Sequence, residues 1–392
     1  MPVFRTALLI SAIAAAGCQV DFPDLRSGLD GGPDTDADTD ADSDTDTDPT
    51  AGCLYRMKIT FDNGASAEAL TDFPVPLALT AETIDYAHTA DSGEDVVFVD
   101  ADAATVLAHE IERWDEGGTS LVWVRVPQID GGATTDHVWM YYGCPAAPAP
   151  DPTAVWSDGF AAVWHLAEVA NDEWSTAVHA DATGGGSAGA QNGNASTPGV
   201  LAGGQDFDGD DSVRVPDAAA LDVTGAITVE AWVRFDALAG NNTYNYIAGK
   251  WDTGANDRAY SLYIYESSPR FIISWDGEDA TTSAWSDVTA VVGQWYYLAG
   301  VYTGDTGETA VRLYVDGALR GTDAGPATAQ INDSGADLLI GGKLFSGDPN
   351  LWVDAQIDEV RVSAVARSAA WIATQHLAMT GGFTACGAEE AL

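Results

Sequence analysis

Short apolar runs with a period of two residues recur along most of this sequence, and turn residues bound them. Tyr55, Met57, Ile59 and Phe61 form the first run, and the residues between them are polar or charged. On a β-strand this alternation turns one face towards a core and the other towards solvent. Glycine, proline and Asp-Gly pairs between the runs are typical of antiparallel strands joined by tight turns. The pattern therefore predicts an all-β protein.

The runs fall into two groups. They occupy residues 53–150 and 157–385, and a linker rich in proline, alanine and aspartate at 145–152 includes the end of the first range. We expect each group to form one antiparallel β-sandwich domain.

Charge restricts the partners of these domains. The 392 residues contain 16 Lys and Arg against 60 Asp and Glu, a formal net charge of −44. A protein that binds nucleic acid or an anionic lipid surface needs a basic face, which this composition does not supply. The same repulsion argues against an anionic glycan as ligand, unless a cation bridges the two.

The first 18 residues have the order of an export signal. Arg5 precedes an apolar run at 7–16, which is too short to span a bilayer. The sequence Ala-Ala-Gly-Cys at 15–18 resembles the lipobox of bacterial lipoproteins. The resemblance implies that Cys18 carries the lipid, which would be the only membrane contact, at the outer membrane or cell surface. The alternative is an ordinary secretory signal with an incidental cysteine.

An acidic segment follows at residues 19–52. Aspartate occupies every second position from Asp34 to Asp48, and no apolar periodicity is present. Because like charges repel, we expect a disordered, extended tether. An EF-hand loop starting at Asp34 would need Gly and Glu where Thr39 and Thr45 stand, so no formed calcium loop is expected here.

The cysteines indicate one disulfide. Cys53 precedes the first strand of the first group, and Cys144 follows its last strand. In an exported protein such a pair is typical of a disulfide that joins the two ends of a domain. Cys386 is left over, and its pairing with either of the other two is an alternative.

Four motifs characterise the first group. They are Tyr-Arg-Met-Lys-Ile-Thr at 55–60, Asp-Phe-Pro-Val at 72–75, Leu-Val-Trp-Val-Arg-Val-Pro at 121–127 and Tyr-Tyr-Gly at 141–143. They resemble an uncharacterised bacterial surface-domain family that commonly precedes a laminin-G-like domain. That family usually has Asn after Tyr-Tyr-Gly, where this chain has Cys144. The resemblance implies architecture and location but no activity.

Six motifs follow one another in the second group. They are Phe-Asp-Gly at 207–209, Thr-Val-Glu-Ala-Trp-Val at 228–233, Gln-Trp-Tyr-Tyr-Leu-Ala at 294–299, Leu-Tyr-Val-Asp-Gly at 313–317, Ile-Gly-Gly at 340–342 and Ile-Asp-Glu-Val-Arg-Val at 357–362. In order and spacing they resemble the laminin-G-like, concanavalin A-like family. The resemblance implies a jelly roll of two curved antiparallel sheets.

Because glycoside hydrolases share this fold, catalysis needs a separate test. Retaining glucanases of the fold place their carboxylates as Glu-x-Asp-x-x-Glu or Glu-x-Asp-x-Glu, and this sequence contains neither. Glu110 and Glu112 lack the central Asp, and the adjacent Asp358 and Glu359 are expected on opposite faces of a strand. The six dispersed histidines show no zinc-ligand spacing. We therefore expect no enzyme, with a divergent glycoside hydrolase as the third-ranked reading.

Calcium is the metal that the sequence favours. Carboxylates cluster around Gly209, and oxygen ligands suit a hard cation. Laminin-G-like modules often carry a structural calcium at the sandwich rim, and a neighbouring strand could add a further carboxylate. The alternative is a solvated acidic turn. The candidate ligands are Asp206, Asp208, Asp210, Asp211 and Asp358.

Aromatic residues beside polar ones are the candidates for ligand binding. Four tryptophans are expected at strand ends or in loops, and two tyrosines in the Asn-rich loop at 241–245. Exposed rings stack on sugars while nearby amides and carboxylates bind the hydroxyls. Ordinary packing is the alternative. The residues are Trp251, Trp275, Trp285, Trp352, Tyr244 and Tyr246.

Together these features predict a lipid-anchored surface protein that binds carbohydrate or another surface molecule without catalysis. The alternative is a structural or protein-interaction component of the envelope.

Overall fold

Antiparallel strands make up nearly all of the regular structure, which confirms the all-β prediction. The computed structural model describes residues 48–171, 178–238, 243–326 and 330–392. The signal segment, Cys18 and the tether as far as residue 47 lie outside the described residues. Within the described part, no helix combines the length and the apolar character needed to cross a lipid bilayer.

The first group of runs contributes the strands of two sheets that face each other. Met57 and Ile59 on one sheet and Val75 and Val124 on the other share one apolar core. A disulfide joins Cys53 to Cys144, and Cys386 is a partly exposed free thiol. The strands are β1 (Tyr55–Phe61), β2 (Leu70–Thr80), β3 (Val97–Asp100), β4 (His109–Arg113), β5 (Thr119–Ile129) and β6 (His137–Tyr142), with a 3-10 turn at Tyr86–His88.

The short helix α1 (Pro152–Val155) leads into the second group, and a longer helix, α2, follows its last strand but one. Most strands here obey the two-residue period seen in the sequence. In chain order they are β7 (Phe160–Trp164), β8 (Ala190–Asn192), β9 (Ala195–Thr197), β10 (Gly204–Asp208), β11 (Ser212–Val215), β12 (Ile227–Phe235), β13 (Tyr244–Asp252), β14 (Asp257–Tyr265), β15 (Ser268–Ser274), β16 (Thr281–Trp285), β17 (Trp295–Tyr302), β18 (Val311–Val315), β19 (Ala318–Asp323), β20 (Leu338–Ile340), β21 (Lys343–Phe345), β22 (Asp348–Asn350), β23 (Asp354–Ser363), α2 (Ala369–Met379) and β24 (Thr384–Ala391), with a 3-10 turn at Ala219–Leu221.

Two sheets form the jelly roll that the second resemblance implies. One has the order β19-β18-β17-β12-β23-β10-β9, with β7 also paired to β23, and we call it the junction sheet. The other has the order β16-β15-β14-β13-β20-β11-β8, and we call it the outer sheet. Val229 and Leu298 of the junction sheet meet Leu262 and Phe271 of the outer sheet in the core between them.

The central strands of the junction sheet, β17, β12 and β23, bury both of their faces. The second face of this sheet packs against the first group and α2, so that Trp232 and Tyr297 share a core with Trp123 of β5. A strand with both faces covered also buries any polar residue it carries. For this reason Glu230, Glu359 and Arg361 are each at most 1% exposed.

The C-terminal strand crosses to the first group. β24 pairs with β1 and extends that sheet to the order β24-β1-β6-β3, while β2-β5-β4 form the facing sheet. The Nε atom of Arg56 lies 2.7 Å from Glu390 Oε2, and the Tyr142 hydroxyl donates to Glu389 over 2.7 Å. From the sequence we expected the second domain to end at residue 385, and the pairing of β24 with β1 was not predicted.

Candidate functional site

A row of large side chains crosses four strands on the exposed face of the outer sheet. The register places Tyr246 opposite Tyr263, Tyr263 opposite Arg270, and Arg270 opposite Trp285. Because side chains alternate along a strand, the intervening residues, such as Phe271, point into the core instead. The row therefore lies on the face that the jelly-roll core does not use.

A second pair extends this row. Tyr244 lies opposite Tyr265, and their ring centres are 4.5 Å apart. Tyr244 also lies 5.9 Å from the Tyr263 ring and 6.5 Å from the Tyr246 ring. The rings therefore form one contiguous group on this side of the sheet, in which Tyr246 is only 7% and Tyr263 only 3% exposed. We call it the aromatic face, and its members are Tyr244, Tyr246, Tyr263, Tyr265, Arg270 and Trp285.

Arg270 lies between two of these rings. Its guanidinium carbon is 4.5 Å from the centre of the Tyr265 ring and 3.8 Å from that of Trp285. Arg270 is 8% exposed, whereas Trp285 is 60% and Tyr244 40% exposed. Among the described residues, no carboxylate lies within ion-pair distance of Arg270. The π faces of the rings, rather than a counter-ion, stabilise this cation.

A polar cavity of about 450 Å³ lies beside Trp285, between β16 and β19. Thr281, Ser283 and Thr322 contribute hydroxyls to its lining. The carboxylate of Asp323 accepts from the Thr282 hydroxyl over 2.7 Å and from the Ser283 amide over 3.1 Å. The cavity thus combines one indole wall with hydroxyl groups.

The structure brings three of the six sequence-predicted aromatic residues together: Tyr244, Tyr246 and Trp285. Trp251 is buried and packs in one cluster with Tyr246 and Tyr263. Trp275 follows the end of β15, and Trp352 lies against Gly342, so neither joins the rows.

One expected position was wrong. Tyr244 and Tyr246 belong to β13 and not to an Asn-rich loop, because their backbones pair with Tyr265 and Tyr263 of β14. The sequence pattern did not identify Tyr263, Tyr265 and Arg270 as members of the aromatic face. The alternation of Tyr263 and Tyr265 was a usable signal, but it does not say which face of the sheet is exposed.

The candidate calcium ligands separate into two places. Asp208, Asp210 and Asp211 each offer a carboxylate oxygen within 4.8 Å of the others. Asp206 lies two residues before Asp208 on β10, on the same face of the strand. Burial, with Asp236 and Asp208 nearby, raises the pKa of Asp206. Asp358 is not part of this group.

Asp358 lies instead on the junction face. It is fully buried, and its carboxylate accepts from the Val200 amide over 2.7 Å and from the Leu201 amide over 3.1 Å. Burial first, and then the charges of Glu359 and Glu112, raise its pKa well above the ordinary value.

A cluster of polar side chains occupies the junction. His165, just after β7, lies with Nδ1 2.7 Å from Glu359 Oε1 and 3.4 Å from Glu112 Oε2. Its Nε2 lies 3.3 Å from Glu110 Oε2. Two indoles hold the carboxylates of β4: Trp123 donates to Glu112 over 2.7 Å and Trp156 to Glu110 over 2.5 Å. We call His165, Glu110, Glu112, Glu359 and Arg361 the junction cluster.

Burial and mutual charge shift the pKa values in this cluster. Burial, with Glu359 and Glu110 nearby, raises the pKa of Glu112 to about 8 against the opposing effect of His165. Burial alone would lower the pKa of His165, but the three surrounding carboxylates raise it well above its ordinary value. Burial alone would raise the pKa of Glu359, but the charges of His165 and Arg361 lower it below the ordinary value. The imidazole is therefore stabilised in its charged form.

A β-bulge explains why Glu359 joins the cluster. In β23, Asp358 pairs with Trp232 and Arg361 with Glu230, so two residues oppose Ala231. Glu359 has a φ of +52°, the left-handed backbone conformation that the first residue of a G1-type bulge adopts. Asp358 and Glu359 therefore do not face opposite sides, contrary to the expectation from simple alternation.

Two family models match the chain. Residues 207–373 match the concanavalin A-like lectin/glucanases superfamily, and residues 92–177 match a domain of unknown function (DUF2341). No curated protein matches the sequence.

Several solved structures are similar to this chain. Domain 4 of AbnA, a GH43 extracellular arabinanase from Geobacillus stearothermophilus in complex with arabinotriose, is 20% identical, with 55% of this chain and 97% of that chain covered and a TM-score of 0.41. The binding domain of botulinum neurotoxin DC in complex with rat synaptotagmin II is 12% identical, with 57% and 52% covered and a TM-score of 0.43. The botulinum neurotoxin serotype D ligand binding domain in complex with N-acetylneuraminic acid is 10% identical, with 57% and 52% covered and a TM-score of 0.41. The match thus spans about half the length of these neurotoxin domains.

Proposed function

Because the chain carries a concanavalin A-like domain preceded by a DUF2341 domain, we propose that it is a non-catalytic, carbohydrate-binding protein of the cell surface. The aromatic face is the recognition surface in this proposal. One observation carries it: a cross-strand row on the open side of the jelly roll, in which buried side chains support two exposed rings, Trp285 and Tyr244.

The two exposed rings, Trp285 and Tyr244, match the chemistry of sugars. The apolar faces of pyranose and furanose rings stack on aromatic side chains, and their hydroxyls need hydrogen-bond partners at the edges. Trp285 offers an exposed indole, and Thr281, Ser283 and Thr322 offer hydroxyls in the cavity beside it. Its volume of about 450 Å³ falls in the range of small-ligand pockets, about 300–1,000 Å³.

Binding rather than hydrolysis is the reading that this cavity supports. Glycoside hydrolysis of the common type needs two carboxylates on either side of the scissile bond. Among the described residues that line the cavity, Asp323 alone has a carboxylate. This carboxylate already accepts hydrogen bonds from the Thr282 hydroxyl and the Ser283 amide.

A glycan array with the purified chain tests the proposal. We expect binding of neutral glycans, and Trp285→Ala to weaken it at least tenfold, which corresponds to about 1.4 kcal/mol. Trp139→Ala is the matched control, because Trp139 also carries an arginine, Arg56, over its ring at 4.1 Å but lies in the first group of strands. Its binding should equal that of the wild type.

Three results would change the assignment. A blank array at high protein concentration would remove the carbohydrate role and favour the structural or protein-interaction alternative. Release of reducing ends from polysaccharides would favour the hydrolase. Equal loss in Trp139→Ala would remove the aromatic face as the binding site.

We propose export and lipid anchoring as the location. The disulfide between Cys53 and Cys144 supports an oxidising compartment. Labelling of cells with radioactive palmitate should mark the wild-type chain and leave Cys18→Ala unlabelled; label in both would remove Cys18 as the anchor.

We also propose a structural calcium at Asp208, Asp210 and Asp211. The approach of their carboxylates to within 4.8 Å and the hardness of oxygen ligands support it. Calorimetry should give heat with calcium for the wild type and none for Asp210→Asn, whereas Asp279→Asn, at a carboxylate that is 99% exposed, should bind normally. Absence of both heat and thermal shift at millimolar calcium would end this proposal.

A further inference from the structure

Three side chains from distant parts of the sequence converge in the junction cluster. Glu112 comes from β4, His165 follows β7, and Glu359 is the bulge residue of β23. One potential ligand atom from each lies within 4.8 Å of the other two. The three are separated by at least 50 residues from one another in the sequence, which explains why the sequence did not suggest a site.

Each of the three has a further hydrogen-bond or ion-pair partner outside the group. Arg361 donates from Nε to Glu359 Oε2 over 3.1 Å, which leaves Oε1 directed at His165. The other ring nitrogen of His165 lies 3.3 Å from Glu110, and Trp123 holds Glu112. In metalloproteins such outer partners fix the tautomer of a ligating histidine and the orientation of ligating carboxylates.

One acceptor in the cluster has no partner. Glu112 Oε1 is buried without a hydrogen-bond partner among the described residues, on a side chain that is 4% exposed. An unsatisfied buried carboxyl oxygen costs free energy, and a bound ion would supply the partner that Glu112 Oε1 lacks.

We propose that Glu112, His165 and Glu359 bind a divalent transition-metal ion. One imidazole and two carboxylates suit zinc or manganese, whereas calcium takes oxygen ligands alone. Bonds of about 2.0–2.2 Å to one ion are compatible with the 2.7 and 3.4 Å that separate His165 Nδ1 from Glu359 and Glu112, and the three ligand atoms lie within 4.8 Å of one another.

The site opens on one side. Glu110, Glu112 and His165 line a cavity of about 610 Å³, whose wall also contains Glu168 and Asp181. A metal with three protein ligands keeps a further position for water or a ligand, and two of the three residues, Glu112 and His165, line this cavity. This metal site is separate from the acidic group at Asp208–Asp211 and from the aromatic face.

Titration of the full, tag-free, chelator-stripped chain with Zn²⁺, Mn²⁺ and Ca²⁺ tests the proposal. We expect one equivalent of Zn²⁺ or Mn²⁺ that persists when Asp210→Asn removes the rim carboxylate. Glu112→Gln, which keeps the side-chain shape, should abolish this binding. Glu110→Gln should weaken it by about 10- to 100-fold, as loss of an outer partner of a metal ligand typically does.

A measurement on the wild type keeps the test independent of variant folding. In ¹⁵N spectra of the imidazoles, Zn²⁺ should shift the Nδ1 resonance of one histidine, and His165→Gln identifies which one. No stoichiometric binding of either transition metal, or binding that leaves every imidazole unshifted or survives Glu112→Gln, overturns the proposal and leaves a hydrogen-bonded network only.

Discussion

The guanidinium carbon of Arg270 lies 3.8 Å from the centre of the Trp285 ring, under an indole that is 60% exposed. Arg270 itself is 8% exposed, so the ring replaces part of its lost hydration. Such a cation–π contact contributes about 0.5–2 kcal/mol. We expect Arg270→Met, which keeps the length of the side chain but removes the charge, to lower the unfolding free energy by about 1 kcal/mol and to weaken glycan binding by releasing Trp285.

Urea unfolding and acrylamide quenching of tryptophan fluorescence measure the two effects. Arg56→Met is the control, because it removes the equivalent contact over Trp139 and should leave glycan binding unchanged. Wild-type binding and stability in Arg270→Met would mean that Arg270 does not position Trp285.

Composition and local pattern alone predict only part of the aromatic face. Trp285 and Tyr244 stand out beside polar neighbours, but Tyr263 and Arg270 join them through pairing between β14, β15 and β16. Strand register is a non-local property, since a slip of one residue would turn the whole row into the core. The expected loop position of Tyr246 was wrong because its backbone pairs with Tyr263 of the neighbouring strand, a contact that local sequence does not reveal.

The disulfide between Cys53 and Cys144 closes a loop with a sequence separation of 91. In the chain-entropy model this closure contributes about 4–5 kcal/mol, because it restricts the unfolded chain. We expect the double variant Cys53→Ser, Cys144→Ser to lose about that much unfolding free energy in urea. Cys386→Ser, at the free thiol, should unfold like the wild type. A double variant as stable as the wild type would show that the closure does not limit the unfolded ensemble.

Strand β24 protects the edge of β1, whose Tyr55 pairs with Ala391 and Phe61 with Thr384. Deletion of residues 384–392 leaves the outer amides of β1 without partners. We expect hydrogen exchange of the peptide at 55–61 to accelerate strongly, while a peptide from β13 stays protected. Glu389→Gln with Glu390→Gln keeps the strand and removes only its ion pairs, so the change should be small. Unchanged exchange of β1 after the deletion would mean that β24 does not stabilise it.

In the junction, the sequence predicts which side of a regular strand a residue faces, but it does not predict the bulge or the contacts between distant segments. Alternation correctly places Trp232 and Val233 on opposite sides of β12, since a regular ladder preserves the two-residue period. It fails at Glu359, because a bulge inserts one residue and its φ of +52° has no signature in the local composition. The dispersed His165 likewise meets Glu112 only through the packing of the first group of strands on the junction sheet.

Lys343 provides a pH-dependent test of the outer sheet. Its ammonium lies 5.6 Å from the Tyr246 ring, and burial lowers its pKa to about 8. Between pH 8 and the ordinary lysine value, the unfolded chain binds more protons at this site than the folded chain does. The unfolding free energy should therefore rise with pH across that window and stay flat below it. With solvent screening the rise amounts to about 1 kcal/mol.

Lys343→Met should remove this rise in unfolding free energy, and Lys58→Met, on β1, should retain it. The measured quantity is the difference in unfolding free energy between wild type and variant at each pH from about 7.5 to 10.5, which cancels the titration of the tyrosines common to both. A difference that does not change with pH would mean that Lys343 keeps its ordinary affinity for the proton.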